Sequence, residues 1–161
     1  MDIYEFALQM EKDGEDYYRD QALKASNRGL KNIFIFLADA EAQHYDMLKK
    51  MKDSDDIQLP DADILSDVKS VFKKMKDEND TGGVDASQAE IYRKALDFER
   101  ENLVFYMDKA SESDDERKKS ILLKFAEEEQ RHCIILENII NFISCPGDWL
   151  ENAEWYNLGE N

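Results

Sequence analysis

Apolar side chains recur at helical spacing through most of the chain. Ile3, Phe6, Leu8, Met10, Tyr17 and Tyr18 predict a first helix over about residues 2–25, and Ser26-Asn27-Arg28-Gly29 is a turn signal. Ile33, Phe34, Leu37, Ala40, Met47 and Leu48 predict a second over about 30–52. A third opens at Ser87-Gln88-Ala89-Glu90, which has the form of a capping box, and runs to about residue 110. Ser113-Asp114-Asp115-Glu116 has the form of another cap; it opens a fourth helix that lasts to about residue 143, where Pro146-Gly147 ends it. In the long connection over 53–86, Ile64, Leu65, Val68, Val71, Phe72 and Met75 predict a short amphipathic helix over 62–76, followed by a flexible joint at Thr81-Gly82-Gly83.

Short loop, long crossover, short loop is the connectivity of a ferritin-like four-helix bundle; an up-down-up-down bundle needs no such crossover. The expected fold is therefore all-α, with the bundle over 1–145 and a C-terminal tail over 146–161. That tail carries Trp149, Trp155 and Tyr156, and its expected place is against the bundle or against a second copy. Only two prolines and six glycines interrupt the 161 residues, which agrees with a single helical domain large enough to bury a core.

The net charge of −16 adds exclusions. Such a surface repels phosphate backbones and anionic membranes, and the short basic runs Lys73-Lys74 and Arg117-Lys118-Lys119 are flanked by acids. Nucleic acid and membrane are not expected as partners. Met1-Asp2-Ile3-Tyr4-Glu5 lacks the basic and apolar regions of a signal peptide, and no apolar run approaches the ~20 residues of a bilayer span. The expected location is the cytoplasm. Cys133 and Cys145 are too few for a four-thiolate site, and Cys133 reads as a small core residue.

The chemistry lies in a duplication. The only two histidines stand in Glu41-Ala42-Gln43-His44 and Glu129-Gln130-Arg131-His132, 88 positions apart. The same offset relates Ala7-Leu8-Gln9-Met10-Glu11 to Ala95-Leu96-Asp97-Phe98-Glu99, and Tyr18 to Tyr106. Residue 26, midway between Glu11 and Glu41, falls in one predicted turn; residue 114, midway between Glu99 and Glu129, falls in the other. Each helical hairpin thus brings two carboxylates level. The Glu-x-x-His spacing puts both side chains on one helix face, one turn apart. Phe34, Leu37 and Ala38 precede Glu41 on its face, and Leu122, Phe125 and Ala126 precede Glu129. Acids on a core face are costly unless paired, protonated or bound to metal.

Four glutamates and two histidines in this register form a ligand set for two metal ions: Glu11, Glu41, His44, Glu99, Glu129 and His132. Glu41 and Glu129 are the expected bridges, and each histidine caps one metal. Tyr18 and Tyr106 are positioned to donate hydrogen bonds to ligand carboxylates. Glu128 lies four residues before His132 and competes with Glu129 on spacing alone; the duplicated register selects Glu129. Carboxylates with one imidazole per metal suit iron or manganese.

With the Met10-Glu11-Lys12…Tyr17-Tyr18 and Ala126-Glu127-Glu128-Glu129-Gln130-Arg131-His132 segments, the two Glu-x-x-His pairs resemble the rubrerythrin family of the ferritin-like superfamily over about residues 2–144. The resemblance implies two iron ions per chain, with manganese or a mixed pair as variants, and reduction of hydrogen peroxide to water. It also suggests a homodimer. Rubrerythrins typically carry a rubredoxin domain, and two cysteines cannot build one, so electrons are expected from a separate donor such as a rubredoxin. Many members have an extra glutamate near the Glu99 position; here Leu96 and Ala95 precede it and Glu101 points to a different face. That departure leaves ferroxidase activity, iron sequestration and dioxygen handling beside peroxide reduction. An oxygenase with an organic substrate, or a metal-free interaction bundle, would show as a cavity beside the metals or as no bound metal.

Overall fold

The structure is a computed structural model that describes residues 2–53 and 63–151. Six α-helices are described: α1 (Ile3–Lys24), α2 (Arg28–Asp53), α3 (Ile64–Glu78), α4 (Ala89–Glu112), α5 (Glu116–Ser144) and α6 (Pro146–Glu151). Among the described residues there is no strand, and the fold is the all-α ferritin-like bundle. No described helix is long and apolar enough to cross a membrane.

Helix α1 packs along α2 and α4 along α5, giving two antiparallel hairpins. They meet face to face. Phe6 of α1 touches Phe105 of α4 with ring centroids 5.0 Å apart, and His44 of α2 sets its ring edge-on to Phe125 of α5, also at 5.0 Å. The buried apolar residues divide into two clusters. One holds Tyr18, Ile33, Phe34, Leu37, Ile135 and Leu136 together with α3 and α6; the other holds Ala7, Met10, Leu48, Tyr106, Leu122 and Phe125. Polar residues at mid-helix separate them.

Helix α3 covers one half of the bundle. It buries Ile64, Leu65, Val68, Phe72 and Met75, spaced to make one apolar stripe. Asp63 caps its start by accepting from Ser66 N at 3.1 Å, and Asn79 ends it in the left-handed conformation at φ 52°. Met75 lies directly over Gly29 of α2, where a Cβ would overlap its side chain. The expected start of this helix at residue 62 lies outside the described residues.

Two local expectations need correction, and a third gains an addition. The Ser87-Gln88-Ala89-Glu90 capping box does not form. Asp85 accepts from Ser87 N at 2.9 Å, a 3₁₀ turn follows over Ala86–Gln88, and Gln88 makes no side-chain cap bond to α4. The carboxylate two residues upstream takes the amide first. The joint after α3 is pinned rather than loose: buried Asn27 donates from Nδ2 to Gly82 O at 2.9 Å and Asp80 Oδ1 at 3.2 Å, while its Oδ1 caps α2 at Leu30 N, 2.9 Å away. Finally, α5 ends before Pro146 as expected, and Pro146 also opens α6, because a missing N–H is harmless in a first helical turn. Trp149 and Leu150 of α6 are buried, with Trp149 edge-on to Phe72. Trp155 and Tyr156 lie outside the described residues.

Candidate metal centre

Each of the four long helices contributes to one polar cluster at its middle. Glu11 comes from α1, Glu41 and His44 from α2, Glu99 from α4, and Glu129 and His132 from α5; none is more than 1 % exposed. Helical periodicity turns each inward because the same faces carry Ala7 and Met10, Leu37 and Ala38, Ala95 and Leu96, Phe125 and Ala126, all buried. The six residues form two overlapping groups. Glu11, Glu41, His44 and Glu129 offer atoms within 4.8 Å of one another, and so do Glu41, Glu99, Glu129 and His132. Glu41 and Glu129 belong to both groups.

The two halves are related by the 88-residue offset. Tyr18 donates to Glu99 Oε1 at 2.7 Å, and Tyr106 donates to Glu11 Oε1 at 2.5 Å, so each tyrosine reaches across to the other hairpin. The imidazoles lie nearly parallel, 6° apart, with centroids separated by 5.8 Å. His44 Nδ1 faces Glu11 Oε2 at 3.4 Å and Glu129 Oε1 at 3.5 Å. His132 Nδ1 faces Glu41 Oε1 at 3.1 Å and Glu99 Oε2 at 3.6 Å. In both rings the nitrogen aimed at the carboxylates is Nδ1.

Two further residues touch the centre; the sequence had offered Glu128 as a rival to Glu129 and had not singled out Gly14. Glu128 contacts His44 Nε2, the nitrogen turned away from the carboxylates. It does not compete with Glu129; it holds the back of the facing histidine. Gly14 lies one turn after Glu11, and a Cβ there would come within 2.9 Å of Glu41 Oε2, so only backbone fits beside that carboxylate. Asn102 lies one turn after Glu99 and is buried. Their spacing from Glu11 and Glu99 was the available signal for Gly14 and Asn102; for Glu128 it was the i,i+4 spacing to His132.

The electrostatics describe a site under repulsion. Burial and the charges of Glu11, Glu99 and Glu129 push Glu41 well above the usual carboxylate range; burial, Glu99 and Glu11 do the same to Glu129. Burial also acts to raise Glu11 and Glu99, but other groups win. His44, Glu41 and Tyr106 hold Glu11 below its ordinary value, and Glu129, His132 and Tyr18 hold Glu99 down to about 2. Burial disfavours a charged His44, yet Glu11 beside it and contacts with Glu128 and Glu129 raise it well above 6.5. Repulsion and burial thus disfavour the charged forms of Glu41 and Glu129, while their neighbours favour the charged forms of Glu11 and Glu99.

A cation relieves this. Among the described residues, buried atoms lacking a hydrogen-bond partner include Glu11 Oε2, Glu41 Oε2, His44 Nδ1, Glu99 Oε2 and both oxygens of Glu129. All are lone-pair donors to a metal, and orphaned buried polar atoms call for such an account. The donor set fits a dinuclear metal site, with carboxylates and one imidazole per position as iron and manganese prefer. A cleft of about 360 Å³, lined by Tyr4, Ala7, Leu48, Phe105 and Leu122, runs in from one end of the bundle to Tyr106. Tyr106, fully buried itself, lies between that cleft and Glu11.

A model of the rubrerythrin family matches residues 2–140. The chain belongs to the rubrerythrin family. No curated protein and no solved structure matches it. Rubrerythrins usually bind iron, and the buried glutamate and histidine groups could hold a metal ion.

Proposed function

We propose that this rubrerythrin is a di-iron oxidoreductase that reduces hydrogen peroxide with electrons from a separate donor protein such as a rubredoxin. The observation that carries the reading is the pair of four-residue groups sharing Glu41 and Glu129. Two such groups would hold two ions, with Glu41 and Glu129 shared between them, Glu11 and His44 serving one ion, and Glu99 and His132 the other. Bound iron would supply the two electrons that cleave a peroxide O–O bond.

The protein's own part is positional. Tyr18 and Tyr106 fix the carboxylates of Glu99 and Glu11 through their hydroxyls. Glu128 fixes the ring of His44. The apolar clusters on either side exclude water from the centre. Burial and mutual repulsion favour the protonated forms of Glu41 and Glu129, and a bound cation would take the place of those protons. A cytoplasmic homodimer completes the proposal.

Metal content after anaerobic loading with ferrous iron, followed by stopped-flow oxidation, tests it. The expected result is two irons per chain, oxidised faster by hydrogen peroxide than by dioxygen, with at least one iron lost in Glu41→Ala and in Glu129→Ala. Uptake of many irons per chain with faster oxidation by dioxygen would replace peroxide reduction by iron storage. No bound metal would leave an interaction bundle.

A further inference from the structure

We infer that the cleft ending on Tyr106 is the way by which a small neutral oxidant reaches the metal centre, and that the Tyr106 side chain is the door between them. The inference rests on the proposed function above.

The centre needs a way in. Its six side chains are at most 1 % exposed, and apolar clusters pack on either side of it. Even a molecule as small as hydrogen peroxide must pass between buried side chains.

The duplication makes the two ends of the bundle comparable, and they differ. Tyr4, Lys109, Glu112, Ser113 and Lys118 line the cleft of about 360 Å³ that runs to Tyr106. Their mates under the 88-residue offset are Tyr92, Gln21, Lys24, Ala25 and Leu30, and these line the matching hollow at the opposite end. That hollow holds only about 60 Å³. Gly83 and Gln88, from the chain between α3 and α4, form part of its wall. Gly83 lies so close to Ser26 and Asn27 that a Cβ would come within 3.0 Å of both. Phe34 is buried where the cleft has the smaller Leu122, and Tyr18, the mate of Tyr106, does not line the hollow. The crossover thus narrows one end, while the cleft at the other runs in to Tyr106. Among the described residues, no side chain lining the hollows along Ile3 and Phe6 or along Leu103 and Leu123 is hydrogen-bonded to a glutamate of the centre.

Tyr106 itself stands in the opening. It is fully buried, its ring stacks on Phe125 with centroids 5.2 Å apart, and its hydroxyl donates to Glu11 Oε1 at 2.5 Å. Turning it aside breaks that bond and joins the cleft to the glutamates. The walls select what can use the opening. Ala7, Leu48, Phe105 and Leu122 offer an ion nothing in exchange for its water, whereas neutral hydrogen peroxide or dioxygen enters at far lower cost. The net charge of −16 adds repulsion of anions.

Nitric oxide, a neutral probe of similar size, tests the door. Its binding to the anaerobic protein loaded with ferrous iron is followed by stopped-flow absorbance. Arrival and departure rates are measured separately, with iron and helical content checked on the same samples. Leu122→Phe gives the cleft the residue of the closed end and should slow arrival and departure alike by about tenfold. Tyr106→Phe removes the bond that holds the door and should speed both by about tenfold. Affinity, the ratio of the two rates, should stay nearly unchanged, because a door alters passage and not the bound state. Wild-type arrival rates in the iron-loaded variants overturn the inference, and Tyr106→Phe alone decides where Leu122→Phe does not fold. A Tyr106→Phe protein with altered affinity at an unchanged arrival rate also overturns it, since Tyr106 would then only support Glu11. So does a wild type that holds two irons and binds no nitric oxide. Faster oxidation by dioxygen than by peroxide would overturn peroxide reduction alone, and the nitric oxide rates would still decide the door. A wild type that takes up no iron overturns the proposed function and this inference with it.

Discussion

His44 and His132 are related by the duplication, yet their surroundings differ. Both turn Nδ1 to the carboxylates, but only His44 has Glu128 at its Nε2. The duplicated counterpart of Glu128 is Ala40, which has no group to offer. A carboxylate behind an imidazole fixes its tautomer and makes it a stronger ligand, and losing one typically weakens metal binding about 10–100-fold. Glu128→Gln should therefore weaken the half of the centre built on Glu11 and His44 by about that factor and leave the His132 half in place. Cobalt titration followed by absorbance reads this as two equivalents of which one becomes weak; equal weakening of both, or of neither, would refute it. The same asymmetry explains which residues were legible in the sequence. The six clustered side chains and both tyrosines are duplicated, so each vouches for its mate. Glu128, Gly14 and Asn102 are paired with unlike residues, and a repeat hides whatever it does not repeat.

Helices α1, α2, α4 and α5 follow the apolar period read from the sequence, because that signal is local and each helix buries one continuous stripe. The joints between them obey contacts that local pattern does not carry. Asn27 sits in the first turn of the chain, and its amide reaches Gly82, 55 residues on, tying the hairpin loop to the end of the crossover. The same side chain caps α2. Asn27→Ala removes these bonds at once and leaves Leu30 N and Gly82 O to find water. The expected cost is about 1–3 kcal/mol. A urea denaturation midpoint lowered accordingly, with metal content unchanged, is the expected outcome; a midpoint equal to wild type would mean the clasp does not hold the crossover. Pro146 teaches a related point. A proline read as a stop signal is equally a start signal, and only the apolar Trp149-Leu150 pair three residues on, buried against α3 and α5, decided for a new helix.

At the scale of the whole molecule, the centre sets two opposed pH dependences. Without metal, Glu41 and Glu129 have folded-state pKa values raised above the ordinary 4.5, and His44 is raised above 6.5. In each case the folded chain binds a proton more tightly than the unfolded chain, so stability is greatest below the unfolded pKa and falls as pH rises through the folded one. Glu11 and Glu99 are shifted the other way, and their contribution is lost only as pH falls below 4.5. Between about pH 5 and pH 8 the raised groups decide the sign, and the metal-free protein should melt at a lower temperature as pH increases. The surface adds to this, since a net charge of −16 repels itself most when every carboxylate is ionised. Metal acts oppositely. Cations bound as proposed would take the places of protons on Glu41, Glu129 and His44, so affinity should rise with pH, and binding to the folded chain alone would stabilise it in proportion to the logarithm of ligand concentration over Kd. The gap between metal-loaded and chelator-treated melting temperatures should therefore widen steadily from acid to neutral pH. Thermal denaturation followed by circular dichroism at three pH values across that range checks it. A constant gap would mean that no protons leave when metal binds, and that the four glutamates are ionised in the metal-free bundle despite their burial.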